Sequence, residues 1–415
     1  MGLVQFQKES FLQSFSALRH RNFRLFWFGQ CISLLGTWMQ QTAQTWLVYS
    51  MTKSAFLLGI LGVCQYAPIL LLSLFAGVYV DRFPKKKFLM TIQILMMLQA
   101  IVFTILLYSG HIQYWQILLL SSFLGLLNTF DLPVRQSFLI EMVGREDLMG
   151  AIALNGIIVN IARIIGPALA GIILVYGSTN LCFLINAISF VAVIFCVSFV
   201  KVEVAPITKK VTSVMTEAWA GIRYIVNNKK VSRVLLSVII VGTFAMNTSV
   251  LIPVYVKQVL HHDAEGYTTI LSIMGIGSMF GAWIVSSKSK KGPNPYLLFG
   301  SALFLGLCLI VLSLVKVYFL ALAITPIFGL LNMIFLISAN STIQLSIENE
   351  YRGRVMSIYG LAFMGTTPIG NLYAGTITEY FGANIGFLIC GVTTVSFLLV
   401  LLFQMRKSKQ NVQSL

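Results

Sequence analysis

The chain has 415 residues, of which 57% are hydrophobic and only 10% charged, with a net charge of +16. A soluble protein carries about a quarter charged residues, so the composition excludes a soluble globular class and fits lipid as the solvent. The basic residues sit in short loops between apolar runs, which excludes a nucleic-acid surface and reads as positive-inside sorting, and six cysteines, each alone in an apolar run, exclude a disulfide framework or metal site.

A spanning helix needs roughly 20 mostly apolar residues. Twelve such runs occur, at 23–49, 56–80, 88–109, 114–138, 150–176, 180–200, 231–256, 266–286, 295–315, 317–340, 355–378 and 384–404. The first lacks a compact apolar core followed by a small-residue cleavage site, so it reads as a membrane helix and not a cleaved signal. It is polar for a span: Gln30, Ser33, Thr37, Gln41 and Gln44 recur at helical spacing. A polar stripe facing lipid is costly, so it is expected to face water or the other half of the protein.

After the second span comes Gly77-Val-Tyr-Val-Asp81-Arg82-Phe-Pro-Lys85-Lys86-Lys87. Gly77 suits a close approach of two helices. Asp81 lies on the side where the eleventh span begins, and a helix N-terminus favours a carboxylate by about 0.3–1 kcal/mol at exposed sites.

The fourth and fifth spans carry charges. Counting helical rise, Asp131 lies about 10 Å and Arg163 roughly 18 Å from the cytoplasmic end. Ionisable groups at such depth are costly and point to function, and the two are expected to pair, either as a protonatable coupling pair or as a static strut. Gly166-Pro167 follows, with Gly171 beyond; the proline removes a backbone bond and kinks the helix, and the glycines flatten its face.

The one long polar break lies between Lys201 and Arg233. Val211, Val214, Met215, Ala218, Ile222, Ile225 and Val226 share one helical face, which reads as an amphipathic helix on the cytoplasmic membrane surface; a plain tether is the alternative. The break divides the chain into residues 1–200, a linker at 201–230, and residues 231–415.

The second half repeats the first. Gly125-Leu-Leu-Asn128 recurs 204 residues later as Gly329-Leu-Leu-Asn332, and the same offset pairs Gly77 with Gly281, Gly156 with Gly360, Gly166 with Gly370, Gly171 with Gly375, Asn180 with Asn384 and Phe183 with Phe387. A duplicated six-helix unit places a site between the halves and transport in the rocking of one against the other. Gln65, Tyr66, Asn128, Asn247, Asn332 and Asn371 join Gln30, Thr37, Gln41 and Gln44 as a candidate substrate cavity of amides, hydroxyls and aromatics. Such a lining suits a large amphiphilic or zwitterionic solute, although each residue singly could also be an interhelical hydrogen bond. The second half keeps Gly281, Lys290 and Lys291 but has Val285 and Ser286 where the first has Asp-Arg, and Glu379 sits at the outer end of the eleventh span.

With an even number of spans both termini share a side. That side holds Lys8, Arg19, Arg21, Arg24, Lys85, Lys86, Lys87, Arg352, Arg354, Arg406, Lys407 and Lys409, against Lys53, Lys257 and Lys316 opposite, which puts both termini in the cytoplasm.

The loop from Gly77 to Lys87 resembles the signature of the major facilitator superfamily, with Pro84 where glycine is usual. Leu18-Arg-His-Arg-Asn22-Phe-Arg24-Leu-Phe-Trp-Phe-Gly-Gln30, Trp46-Leu-Val-Tyr49, Asp131-Leu-Pro-Val-Arg135-Gln-Ser-Phe138, Ala151-Ile-Ala-Leu-Asn155 and Ala162-Arg163-Ile-Ile-Gly166-Pro167 are similar to a branch of enterobactin-exporter-like and macrolide-efflux-like carriers. The resemblance implies an all-α integral membrane protein with twelve transmembrane helices in two pseudo-symmetric six-helix bundles, the major facilitator fold. It implies gating by Gly77, Asp81, Arg82 and Lys86, an antiporter-like motif at Gly166, Pro167 and Gly171, and proton-driven efflux of a siderophore or drug-like solute. No cofactor beyond the proton gradient is expected, and membrane lipid and a small-molecule substrate are the expected partners of a monomer in the cytoplasmic (inner) membrane. Many proton-coupled members carry an arginine one turn before a Gln-Gly pair in the fourth helix; here Ser121 precedes Leu124-Gly125, so their coupling mechanism is not carried over. A lysophospholipid or nutrient carrier of the same fold is the alternative. A multi-span enzyme or receptor fits less well, because His20, His111, His261 and His262 all fall in or near loops and no loop is long enough for a signalling domain.

Overall fold

The computed structural model describes residues 15–80, 82–144, 146–202, 214–287, 292, 294–348 and 350–413. A short turn of 3-10 helix, Phe15–Arg19, leads into α1 (Arg21–Thr52), α2 (Ala55–Val80), α3 (Lys85–Tyr108), α4 (Tyr114–Val143), α5 (Leu148–Tyr176) and α6 (Thr179–Ser198). The second half follows as α7 (Val214–Asn227), α8 (Lys229–Phe244), α9 (Thr248–Gln258), α10 (Ala264–Ser287), α11 (Pro295–Leu314), α12 (Tyr318–Ser346) and α13 (Arg352–Gln413). No strand occurs among the described residues.

Ten helical stretches among the described residues are long and apolar enough to cross a membrane. One of them, Arg352–Lys407, bends at Gly382, whose φ of 81° is open to glycine at little cost, and so makes two passages. A further passage is α1, 32 residues long, whose glutamines and threonines keep it less apolar than the others. Twelve passages result, and the sequence repeat is a helix repeat: α4 and α12 begin 204 residues apart, as do α5 and α13.

The seventh passage differs from the continuous run expected at 231–256. It breaks between α8 and α9 at Ala245–Asn247. There the Asn247 side chain turns back to donate to the Thr243 carbonyl at 2.8 Å, the local competition with helical bonding that asparagine offers.

Packing groups the chain into two compact units, Met1–Gln44 with Leu71–Val211 and Thr45–Leu70 with Thr212–Leu415, so α1 and α2 each contribute to both. In the first unit α3 packs on α4 and α6. Phe103 stacks on Phe183 with ring centroids 4.2 Å apart, and Phe26 meets Phe138 edge-on at 6.0 Å.

In the second unit α10 and α12 touch backbone to backbone. A Cβ on Gly277 would strike the Pro326 carbonyl, and one on Gly329 the Met274 carbonyl, so small residues set this approach. The linker helix α7 packs on the start of α13: Gly221 faces Ile358 and Arg354, Tyr224 stacks on Tyr351 at 4.7 Å, and Ile225 is buried. The expected apolar face is thereby divided, since Ile222 and Val226 are exposed. Val211 lies outside the described residues, and the side chains of Val214, Met215 and Ala218 are not described.

Candidate functional site

The first unit holds a buried polar network at Asp131, which is 8% exposed in the middle of α4. Arg135, one turn along the same helix, donates from Nε to Asp131 Oδ2 at 3.1 Å, and its Nη2 reaches the same oxygen. Gln93 on α3 donates from Nε2 to the other carboxylate oxygen, Oδ1, at 2.9 Å. Arg135 Nη1 donates to Gln30 Oε1 on α1. Three helices are therefore tied through one ion pair whose charges cancel and whose amide neighbours, Gln30 and Gln93, are each only 1% exposed. A buried charge needs such partners, because an uncompensated one is among the costliest defects a low-dielectric interior can hold.

The pairing expected from sequence was Asp131 with Arg163. The structure does not bring those two together. Arg163, half-buried on α5, lies instead over the Trp38 ring of α1, 5.1 Å from its centroid. The physical reason is spacing: residues four apart on a helix are neighbours on one face, so Arg135 reaches Asp131 without the helix-to-helix span that Arg163 would have to cover. The Asp131 and Arg135 spacing was the signal in the sequence that could have found this partner.

Gly166 and Pro167 are buried on α5, as is Gly171. A Cβ at Gly166 would come within 2.5 Å of Trp38 Cβ, so this glycine lets α5 seat against α1 beneath the Arg163 contact.

The polar stripe of α1 is used within its own unit. Besides Gln30, Gln44 donates to the Ser121 hydroxyl on α4 at 2.7 Å, and Gln40 accepts from Asn186 on α6 at 2.6 Å. Thr37 donates to the Ser33 carbonyl at 2.9 Å, Gln41 is half-buried, and Asn128 is exposed. In the second unit, Asn371 is 1% exposed and accepts from Ser249 at 3.4 Å. Asn247 is fully buried, Gln65 and Tyr66 are half-buried, and Asn332 carries a buried Oδ1 with no hydrogen-bond partner among the described residues.

Around the loop after α2, Asp81 lies outside the described residues, and Arg82 is exposed. Lys86 donates to the Ser198 and Val200 carbonyls at 2.8 and 2.7 Å, placing a cation at the C-terminus of α6 where the helix dipole favours it. A Cβ at Gly77 would meet no described atom within 4 Å.

Before α5, the carboxylate of Asp147 accepts from the Ser16 hydroxyl and bonds His20 Nε2 at 2.7 Å. The Ser16 bond and then the His20 bond hold its carboxyl below the usual value. Sequence reasoning passed over this anchor, and it placed Glu379 at the outer end of the eleventh span without its partners, which lie at the start of α2 more than three hundred residues away in the chain. No cluster of three or more potential metal ligands occurs among the described residues.

Compared with known proteins, residues 12–415 match the model of a family described as transmembrane secretion effectors. The chain is 25% identical over 398 residues to the staphyloferrin A transporter of Staphylococcus aureus, covering 94% of this chain and 98% of that protein. It is 22% identical to macrolide efflux protein A of Streptococcus pyogenes, over 91% of this chain and 94% of the relative. Among solved structures, the nucleoside transporter NupG is similar in fold, with a TM-score of 0.74 at 11% identity, covering 94% of this chain and 99% of that one.

Proposed function

The chain belongs to the transmembrane secretion effector family of the major facilitator superfamily, and from that premise we propose that it is a proton-driven exporter working by alternating access. It is an all-α, multi-pass membrane transporter and not an enzyme. The cargo we propose is a siderophore or a drug-like amphiphile, a reading supported by relatives named for staphyloferrin A and for macrolides. Positive-inside sorting supports the cytoplasmic membrane with both termini inside, and the working unit we propose is a monomer.

The observation that carries the coupling proposal is the buried ion pair of Asp131 and Arg135. Protonation of Asp131 neutralises the anion and leaves Arg135, largely buried, without its counter-charge and held by hydrogen bonds alone. That state is unfavourable in a low-dielectric interior, so proton binding at α4 alters what ties α4 to α1 and α3. The residue that moves is thus Arg135, in the role the sequence gave to Arg163.

The test is accumulation of a siderophore or a macrolide in proteoliposomes with and without an imposed pH gradient. Gradient-driven accumulation is expected for the native chain and not for Asp131→Asn. Full gradient-driven transport by Asp131→Asn would remove the coupling role.

A further inference from the structure

The start of α2 is capped from a distant part of the chain. The first N–H groups of a helix have no partner within it. Here Ser54 Oγ accepts from Leu57 N at 3.2 Å, the ordinary local cap. The other two donors go elsewhere: Ala55 N and Phe56 N both point at Glu379 Oε2, at 2.6 and 3.2 Å, and the Ser54 hydroxyl donates to the same oxygen at 2.9 Å. One carboxylate oxygen therefore collects three donors at the positive end of a helix dipole, an arrangement that favours an anion.

Below this cap α2 and the first limb of α13 run antiparallel and approach closely at glycines. A Cβ on Gly375 would lie 2.7 Å from the Ala55 carbonyl and 3.2 Å from Gly59 Cα. One on Gly59 would lie 2.7 Å from the Asn371 carbonyl, and one on Gly62 2.8 Å from Asn371 Cγ. The seam makes contact mainly through backbone fit, with the Asn371 side chain seated on Gly62 and the Leu70 side chain on Gly365. A charge-assisted bond set closes its outer end at Glu379, which is exposed.

We propose that Glu379 is a gating residue: its carboxylate is a detachable cap on α2 that holds the outer ends of α2 and α13 together, and it leaves when that end opens. The proposal rests on the transporter reading above and on the positive-inside orientation, which makes this end the outer one.

Hydrogen exchange of the full chain in lipid nanodiscs tests the latch without any substrate, so its outcome is separable from that of the transport assay. In Glu379→Gln, exchange is expected to rise about tenfold, the scale of a lost charge at a helix end with its hydrogen bonds, and to rise together in residues 57–66 and 367–377. Glu379→Asp, which keeps the charge, is expected to recover most of the protection. A rise confined to residues 55–57 would mark a local helix cap and overturn the proposal, as would unchanged exchange in both segments.

Discussion

Removing one member of the Asp131–Arg135 pair leaves the other buried without its counter-charge. Arg135→Met strands a carboxylate that is 8% exposed and keeps Gln93 as a hydrogen-bond donor. Asp131→Leu strands a guanidinium that keeps Gln30. Breaking a buried pair in this way costs about 3–5 kcal/mol, and the retained amide offsets about 1 kcal/mol of it as an ordinary hydrogen bond, so each single variant is expected to lose about 2–4 kcal/mol. The double variant removes both charges and is expected to fall within about 1–2 kcal/mol of the native chain, since apolar replacement of a whole buried pair is often neutral. The coupling energy is then at least about 2 kcal/mol, well beyond the roughly 0.3–0.5 kcal/mol scatter of independent sites. Equilibrium unfolding of the purified chain in mixed micelles gives the four free energies. Additive losses would refute the pairing. Combining Arg163→Met with Asp131→Leu supplies the contrast, because Arg163 stands outside the network and its effect should add to that of Asp131 within the scatter of independent sites.

Gly166→Val should destabilise the first unit by about 1–3 kcal/mol through overpacking, because its Cβ would fall 2.5 Å from Trp38 Cβ; an unchanged unfolding midpoint would contradict the seating of α5 on α1. Lys86→Gln loses a cation from the end of α6, and a loss of about 0.3–1 kcal/mol is expected, read from the same unfolding curves. For Asp147 the folded carboxyl lies below its ordinary value of 3.8, so its stabilising contribution is complete above that value and is lost as pH falls through the folded one. The stability difference between the native chain and Asp147→Asn should accordingly be present at neutral pH, begin to fall near 3.8 and vanish once the pH passes below the lowered folded value; a difference that persists there would rule out the carboxylate as its source.

The helices were legible because hydrocarbon imposes long apolar runs, and the duplication was legible because glycine and asparagine positions kept one register across the halves. The break in the seventh passage was not, since hydropathy reads 231–256 as continuous and the interruption depends on one side chain, Asn247, bonding back to Thr243. Around the site, the cost of charge in lipid singled out Asp131 as a residue in need of a partner, but residue counts along two different helices cannot say which groups meet. The stripe on α1 shows the same limit. Its avoidance of lipid followed from polarity alone, whereas the destinations of Gln30 and Gln44, on Arg135 and Ser121 of α4, depend on helix rotation that sequence does not state. Glu379 was visible as a terminal acid of the eleventh span, and its role as a cap on α2 emerges only once the two helices lie side by side.

Proton flux measured with a pH-sensitive dye inside liposomes, triggered by adding a transported solute, separates proton-coupled export from uncoupled movement. Solute-dependent proton movement is expected in the native chain and is lost in Asp131→Asn, with solute binding retained. Solute movement with no accompanying proton flux in the native chain, or equal flux in the variant, would contradict the proposed coupling.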